Sequence, residues 1–193
     1  MRSSKLYNTI EEVGPLSKLA AEKGITTLAK CMQVLRKMPY GRNADRSDLG
    51  LVLTENKGTC SSKHALVKAI AIEQDISTVQ LILCIYKMNV NNTPGIGNHI
   101  DNAGLPYIPE AHCYLRIEDV RVDLTNANSS VDNIANDILH EELILPPQVS
   151  EYKVETHHQF IKEWIISKNI ASDFDSVWRI REKCISSLSE KHF

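Results

Sequence analysis

The sequence has no strong excess of charge of either sign. It contains 22 lysines and arginines against 24 aspartates and glutamates, and its formal net charge is −2 at pH 7. A chain this close to neutrality produces no global field that would attract a nucleic acid or an anionic membrane surface. The composition therefore predicts no nucleic-acid partner.

Closely spaced cysteine pairs and long apolar runs are also missing. The cysteine count of five is odd and includes no CxxC pair, which argues against a disulfide framework. No apolar run approaches the length of a membrane span, and residues 1–8 lack the apolar core of a signal peptide. We therefore expect reduced thiols, a cytoplasmic location and no membrane partner.

What remains is the composition of an ordinary globular protein. Apolar residues make up 42% of the 193 positions, and charged residues make up 24%. This length is sufficient for one domain with a sizeable core. Residues 1–193 are therefore predicted to form a single domain, and the sequence leaves the oligomeric state open.

One short segment, residues 58–64 with the sequence GTCSSKH, joins an apolar run to a helical pattern. Thr59 is a plausible N-cap of that helix, and Gly58 allows a tight entry turn. Cys60 would then lie in the first turn, where free backbone N–H groups and the helix dipole favour thiolate over thiol. The segment predicts a nucleophilic cysteine, although a cysteine beside an apolar helix is more often an inert part of the core.

Further helices are predicted on both sides of this segment. Apolar residues at spacings of three and four indicate two helices within residues 16–38, broken at Gly24. Two amphipathic helices are predicted near the end of the chain, at about 156–167 and 174–188. Residues 131–139 look weakly helical.

A nearly continuous apolar stretch at residues 78–88 is rich in β-branched side chains. Such a stretch is typical of a central strand covered on both faces. A long irregular loop follows at 91–109, and a loop of this length is more often functional than idle. We interpret it as a candidate rim of a substrate cleft, with a mobile surface loop as the alternative.

Residues 111–117 and 120–125 are predicted to form an antiparallel hairpin that turns at 118–119, so that Ile117 pairs with Val120. Alternation then places one polar set of side chains on a common face: His112, Tyr114, Arg116, Arg121, Asp123 and Thr125. The opposite face is apolar and carries Cys113, Leu115, Ile117, Val120, Val122 and Leu124.

In this register His112 and Asp123 are diagonal neighbours with Cα atoms roughly 7–8 Å apart, within reach of an imidazole–carboxylate hydrogen bond. The carboxylate would fix the tautomer of the histidine and stabilise an imidazolium beside a thiolate. The same register pairs Arg116 with Arg121, which is unfavourable unless a carboxylate lies between them. If His112 faces elsewhere, the remaining candidates are His140, His157 and His158.

This order of Cys60 opening a helix, a strand, and then His112 and Asp123 on successive strands resembles the transglutaminase-like superfamily, whose core belongs to the papain-like cysteine fold. The similarity spans roughly residues 40–125. It implies an α+β fold in which the nucleophile helix packs on a small antiparallel sheet, with additional N- and C-terminal helices. It also implies that Cys60 is the nucleophile, His112 the general base and Asp123 the orienting acid.

The chemistry implied is acyl transfer or hydrolysis at an amide or peptide bond through a thioester on Cys60, with no cofactor. The backbone N–H of Cys60 would bind the oxyanion, with Tyr40 and Asn56 as candidates for the second donor. The chain has no room for the extra β-domains and calcium sites of the animal crosslinking enzymes. We therefore expect a peptidase or amidase with a peptide, protein or other amide-containing substrate.

Two alternatives stay open. Cys60 and His64, four residues apart on one helix, could bind zinc together with His112 and Cys113, although the last two point to opposite faces of a strand. The chain could also be a catalytically silent binding scaffold with the same fold.

Overall fold

The N-terminal helices match the predicted pattern. The computed structural model describes residues 4–190 and begins with a 3-10 helical turn at Ser4–Tyr7, followed by α1 (Pro15–Glu22), α2 (Leu28–Lys37) and a short α3 (Leu51–Thr54). Gly24 lies between α1 and α2 with a φ of 72°, a left-handed conformation that glycine adopts without strain. Thr27 caps α2 by accepting a hydrogen bond from the Lys30 N–H. The predicted break at Gly24 is therefore confirmed.

The helix that carries the predicted nucleophile is α4 (Cys60–Glu73). The Thr59 hydroxyl accepts from the Ser62 N–H at 3.3 Å, and the Ser62 hydroxyl accepts from the Thr59 N–H at 3.0 Å. This reciprocal cap satisfies two of the N–H groups that a helix start leaves free. Cys60 therefore lies in the first turn, as predicted. The first two turns of α4 are buried all round, whereas Ile72 near its end is exposed.

Four strands form one antiparallel sheet in the order β3-β2-β1-β4. They are β1 (Val79–Met88), β2 (Ile108–Ile117), β3 (Val120–Val122) and β4 (Ile138–Ile144). The remaining helices are the short α5 (His99–Asn102) before β2, and α6 (Glu151–Ser167) and α7 (Phe174–Glu190) after β4. The protein thus has an α+β fold with a small antiparallel sheet and several helices.

The predicted hairpin register is confirmed, because Ile117 pairs with Val120. Glu118 and Asp119 have φ values of 47° and 67°, and a two-residue turn with both central residues left-handed matches the twist of the strands. The ladder is shorter than predicted and ends at Val122. Beyond that residue the Asp123 carboxylate accepts a hydrogen bond from the backbone and turns the chain out of the sheet.

The pairing of Arg116 with Arg121 is accommodated by a carboxylate. Glu141 of β4 lies 3.3 Å from Arg116 and 3.0 Å from Arg121, and it also accepts a hydrogen bond from the Tyr114 hydroxyl. The two guanidinium groups therefore share one counter-ion, which satisfies the condition that the sequence imposed on this register.

The prediction of a weak helix at residues 131–139 is confirmed only in part. That region contains two 3-10 turns, Val131–Asn133 and Ala135–Asp137, and then β4, which pairs with β1. β4 is an edge strand with exposed Leu139 and Leu143, so its sequence shows no clean alternation of buried and exposed residues. Pairing along β1 determines its conformation, and the local pattern does not reveal that pairing.

Apolar side chains cover both faces of the sheet, as predicted for the central strand β1. Leu83 and Cys113 belong to one cluster, which packs against α1, α2 and α4. Cys84 and Tyr114 belong to a second cluster, to which α5, α6 and α7 contribute. Odd and even residues of the paired strands thus point to opposite cores. None of the helices within residues 4–190 is long and apolar enough to span a bilayer.

The C-terminal helices differ from the prediction at one end. α7 begins at Phe174 as expected, whereas α6 begins at Glu151 and not near residue 156. The extra turn carries Lys153, which the sequence pattern left outside any helix. This difference matters for the site, because the extra turn lies beside Cys60.

Candidate active site

Cys60, His112 and Asp123 line the same cavity, which has a volume of about 290 Å³. Nε2 of His112 lies 3.1 Å from Oδ2 of Asp123. Because Asp123 occupies Nε2, Nδ1 is the ring nitrogen that remains to interact with the Cys60 sulfur. Asp123 is itself fixed, since its Oδ1 accepts the Thr125 N–H at 2.8 Å. The structure therefore brings the three predicted residues together.

The environment of Cys60 favours the thiolate. Burial raises its pKa, but the positive charges of Lys153 and His112 outweigh burial, and hydrogen bonds from the His112 side chain and the Cys113 N–H add to their effect. The result is a pKa of about 6. Cys60 is consequently ionised at neutral pH, which is the state in which a cysteine is nucleophilic.

The other four free cysteines have the opposite tendency. Burial raises the pKa of Cys31 and Cys113 to about 12 and that of Cys184 to about 11, and it raises the pKa of Cys84 as well. Their sulfurs stay protonated at neutral pH and serve as small apolar core groups. All five cysteines are unpaired, as the sequence predicted, and only Cys60 has a lowered pKa.

His112 and Asp123 complete an array of alternating charges. Burial lowers the pKa of His112, but the negative charges of Asp123 and Cys60 raise it to about 10. Burial likewise raises the pKa of Asp123, whereas the His112 cation beside it holds that pKa well below its usual range. At neutral pH the three groups are therefore thiolate, imidazolium and carboxylate in sequence.

His64 links the start of α4 to the chain that carries Asp123. Its Nε2 accepts the Leu124 N–H at 2.7 Å, and its Nδ1 lies 2.5 Å from the Cys60 carbonyl oxygen. Burial lowers the pKa of His64 to about 4, so the ring is neutral and Nδ1 donates to that oxygen. His64 thus fixes the start of α4 relative to the segment that follows Asp123.

The same contacts count against the zinc alternative. Both ring nitrogens of His64 are engaged in hydrogen bonds, so neither has a free lone pair for a metal. Among residues 4–190 there is also no group of three or more histidine, cysteine, aspartate or glutamate side chains arranged to hold a metal ion.

Lys63 is fully buried near Cys60 and was not singled out from the sequence. Its Nζ donates to the carbonyl oxygens of Met38 at 2.7 Å and Thr125 at 2.8 Å, and burial lowers its pKa to about 8. The side chain ties the end of α2 to the residue that fixes Asp123. No feature of the segment GTCSSKH distinguishes this buried lysine from an exposed one.

Replacing Lys63 by methionine is expected to destabilise the fold by about 2–4 kcal/mol, because two buried carbonyl oxygens lose their donor. Urea unfolding followed by circular dichroism measures the change. The matched control is Lys68→Met on the same helix, whose side chain makes neither contact and which should change stability by less than about 0.5 kcal/mol. Equal stability of the two variants would show that these carbonyls find other donors.

Of the two candidates for a second oxyanion donor, one lies beside Cys60 and the other does not. Tyr40 lines the cavity that contains Cys60, and burial, followed by the charge of Cys60, raises the pKa of its phenol above the usual range, so its O–H can donate. Asn56 was a wrong candidate. It is exposed, has a φ of 52° in the turn before α4, and lines neither cavity beside Cys60.

Cys60 lies where two cavities meet. The polar cavity is the one of about 290 Å³ that contains His112, and its wall includes residues 92–95 of the long loop. The loop thus forms part of a cavity rim, as the sequence suggested. The basic cavity is larger, about 550 Å³, and charged side chains line it: Arg42, Arg46, Glu110, Lys153, Arg181 and Glu182.

A buried ion pair attaches helix α7 to strand β2 beside these cavities. Glu110 of β2 accepts a hydrogen bond from Nε of Arg181 at 2.8 Å and a second one from Nη2. Burial raises the pKa of Glu110, but Arg181 and then His157 lower it to about 2. Sequence reasoning missed this pair, since its members are 71 positions apart and neither belongs to a motif.

The three alternative histidines have other environments. His140 is near Glu142 at the sheet edge, and His157 hydrogen-bonds the Pro109 carbonyl oxygen at 2.8 Å. His158 stacks edge-on against Trp178. None of them lines the polar cavity, although His157 and His158 line the larger cavity that Cys60 also borders. His112 is the histidine whose charge and hydrogen bond act on Cys60.

Comparison of the chain with protein-family models, curated proteins and solved structures gives no match.

Proposed function

We propose that the protein is a transglutaminase-like cysteine hydrolase or acyltransferase with a papain-like core, acting on an amide or peptide bond. The observation that carries this proposal is the hydrogen-bonded His112–Asp123 pair beside Cys60 at the start of a buried helix. The packing of α4 on an antiparallel sheet supports the family assignment. The lowered pKa of Cys60 alone among five cysteines supports its role as nucleophile.

In the first half of the reaction the Cys60 thiolate attacks the substrate carbonyl carbon, and the carbonyl π electrons move onto oxygen. The oxyanion accepts hydrogen bonds from the Cys60 N–H and the Tyr40 hydroxyl. Imidazolium His112 then gives its Nδ1 proton to the departing nitrogen as the carbon–nitrogen bond breaks. The products are a free amine and a thioester on Cys60, with neutral His112.

In the second half the acceptor is water or an amine. Neutral His112 removes a proton from the acceptor as it attacks the thioester carbonyl, and the carbon–sulfur bond then breaks. A carboxylic acid or a new amide leaves, and the thiolate–imidazolium pair is restored. Asp123 keeps its charge throughout, because its task is to orient His112 and stabilise the imidazolium.

The thioester can be tested with p-nitrophenyl acetate. We expect a burst of about one nitrophenolate per chain and an acetyl group on the Cys60 peptide by mass spectrometry. Cys60→Ala should abolish the burst, whereas the matched Cys184→Ala should keep it, because burial raises the pKa of Cys184. Acetylation spread over several cysteines, or none at all, would contradict the proposal.

A second measurement separates an enzyme from a silent scaffold. A peptide library prepared by proteolysis of whole-cell protein is incubated with the protein, and new termini and released ammonia are quantified. We expect turnover that depends on both Cys60 and His112. A thiol that forms the acetyl thioester but releases nothing from any amide would favour the scaffold.

A further inference from the structure

The two cavities that meet at Cys60 are not equivalent for the proposed reaction. Cys60, Tyr40 and Glu110 line both, but His112 lines the polar cavity alone. His112 delivers its proton to the departing nitrogen, so the leaving group must lie on the His112 side of the sulfur. The acyl portion of the substrate then extends to the other side, into the basic cavity. This assignment rests on the proposed function.

The charges of the basic cavity do not balance. Its lining holds four cations against two carboxylates and the Cys60 thiolate. Glu110 is taken up by the buried pair with Arg181, and Glu182 lies 2.7 Å from Arg181 and 2.8 Å from Arg42. The two carboxylates are therefore already committed to two of the four cations.

Lys153 and Arg46 are the cations left over. Neither takes part in any ion pair of the chain between residues 4 and 190. Lys153 is half-buried in the first turn of α6, where the positive end of the helix dipole disfavours a cation. A half-buried lysine in that position gains no stability from the helix, and its charge faces Cys60.

The polar cavity has the opposite character. Apart from His112, no cation lines its described wall, and Glu110 and Asp123 contribute carboxylates. Its remaining polar lining is rich in uncharged amides and hydroxyls, including Asn92, Asn126 and Ser129. No cation without a carboxylate partner lines the described wall of that cavity to attract an anionic leaving group. An anion in the basic cavity meets Lys153 and Arg46, which no carboxylate of the described chain neutralises, and the charge of Lys153 also stabilises the Cys60 thiolate.

We infer that the basic cavity is the acyl subsite, and that it takes an amide substrate whose acyl portion carries a negative charge bound by Lys153 and Arg46. A volume of about 550 Å³ is in the range of small-ligand sites, and it accommodates an acidic acyl group or a short acidic peptide segment. Substrates of this class would be selected before the thiolate attacks.

Iodoacetate and iodoacetamide test this inference, because they alkylate the same sulfur and differ chiefly in charge. Both rate constants are proportional to the fraction of Cys60 that is thiolate, so this fraction cancels in their ratio. The rate constant for neutral iodoacetamide, taken by itself, measures the thiolate fraction. We expect the ratio to fall roughly three- to tenfold in Lys153→Met and by a smaller factor in exposed Arg46→Gln. In the wild type it should also fall as salt is added.

The matched control is Lys168→Gln, which removes an exposed charge at the far end of α6. Its ratio should equal that of the wild type. Fast alkylation with the same ratio in all four proteins would overturn the anionic subsite and leave the proposed function intact. Slow alkylation of the wild type by both reagents would show that Cys60 is not ionised at neutral pH, and it would contradict both proposals.

Discussion

Replacing His112 by alanine is expected to raise the pH at which Cys60 reacts with iodoacetamide from near 6 towards the ordinary thiol range. The imidazolium contributes both a charge and a hydrogen bond to the thiolate, while the burial that opposes ionisation remains. An upward shift of roughly two units lowers the thiolate fraction at pH 7 by a factor of about 10 or more. The proposed amide turnover should fall further, by about 10³–10⁴, because His112 is also its proposed general acid.

The shape of the pH profile provides the check. In the wild type the alkylation rate should rise with a midpoint near pH 6 and stay level until His112 loses its proton near pH 10. The matched control is His140→Ala, which removes a half-exposed histidine outside the polar cavity and should leave the profile unchanged. Superimposable profiles for the wild type and His112→Ala would sink the ion-pair mechanism.

Local features explain why much of the site could be predicted from the sequence. The Thr59 cap, the first-turn position of Cys60 and the two-residue hairpin each depend on residues adjacent in the chain. A hairpin register then fixes which side chains share a face, and this is how His112 and Asp123 could be paired without coordinates. Each of these steps involves a short sequence separation and strong geometric rules.

The parts that escaped prediction are contacts between distant elements. Lys153 reaches Cys60 from a helix almost a hundred positions later, and its own helix was predicted to start after it. Lys63 is buried because two carbonyl oxygens from separate segments converge on it. β4 is a strand because its backbone pairs with that of β1. No local pattern encodes such encounters, since tertiary packing decides them.

Replacing Glu110 by alanine is expected to destabilise the fold by about 3–5 kcal/mol, because it leaves the Arg181 cation buried without its bidentate partner. The Glu110 and Arg181 side chains are only 6% and 10% exposed, so water cannot replace the lost carboxylate. Unfolding in guanidinium chloride at pH 7 measures the loss. A cost below about 1 kcal/mol would show that the pair does not hold α7 on β2.

The pH dependence of stability and a double variant test the same ion pair. The lowered pKa of Glu110 contributes stability that is fully present above the unfolded-state value of about 4.3 and is lost as the pH falls towards 2. In Glu110→Ala the free energy of unfolding should therefore decrease less between about pH 4.3 and pH 2 than in the wild type. Glu110→Leu combined with Arg181→Met removes both buried charges together, and we expect it to regain most of the stability that the single change loses. If the double variant recovers stability but Cys60 in it is alkylated at the wild-type rate, the pair serves the attachment of α7 and not the ionisation of the thiol.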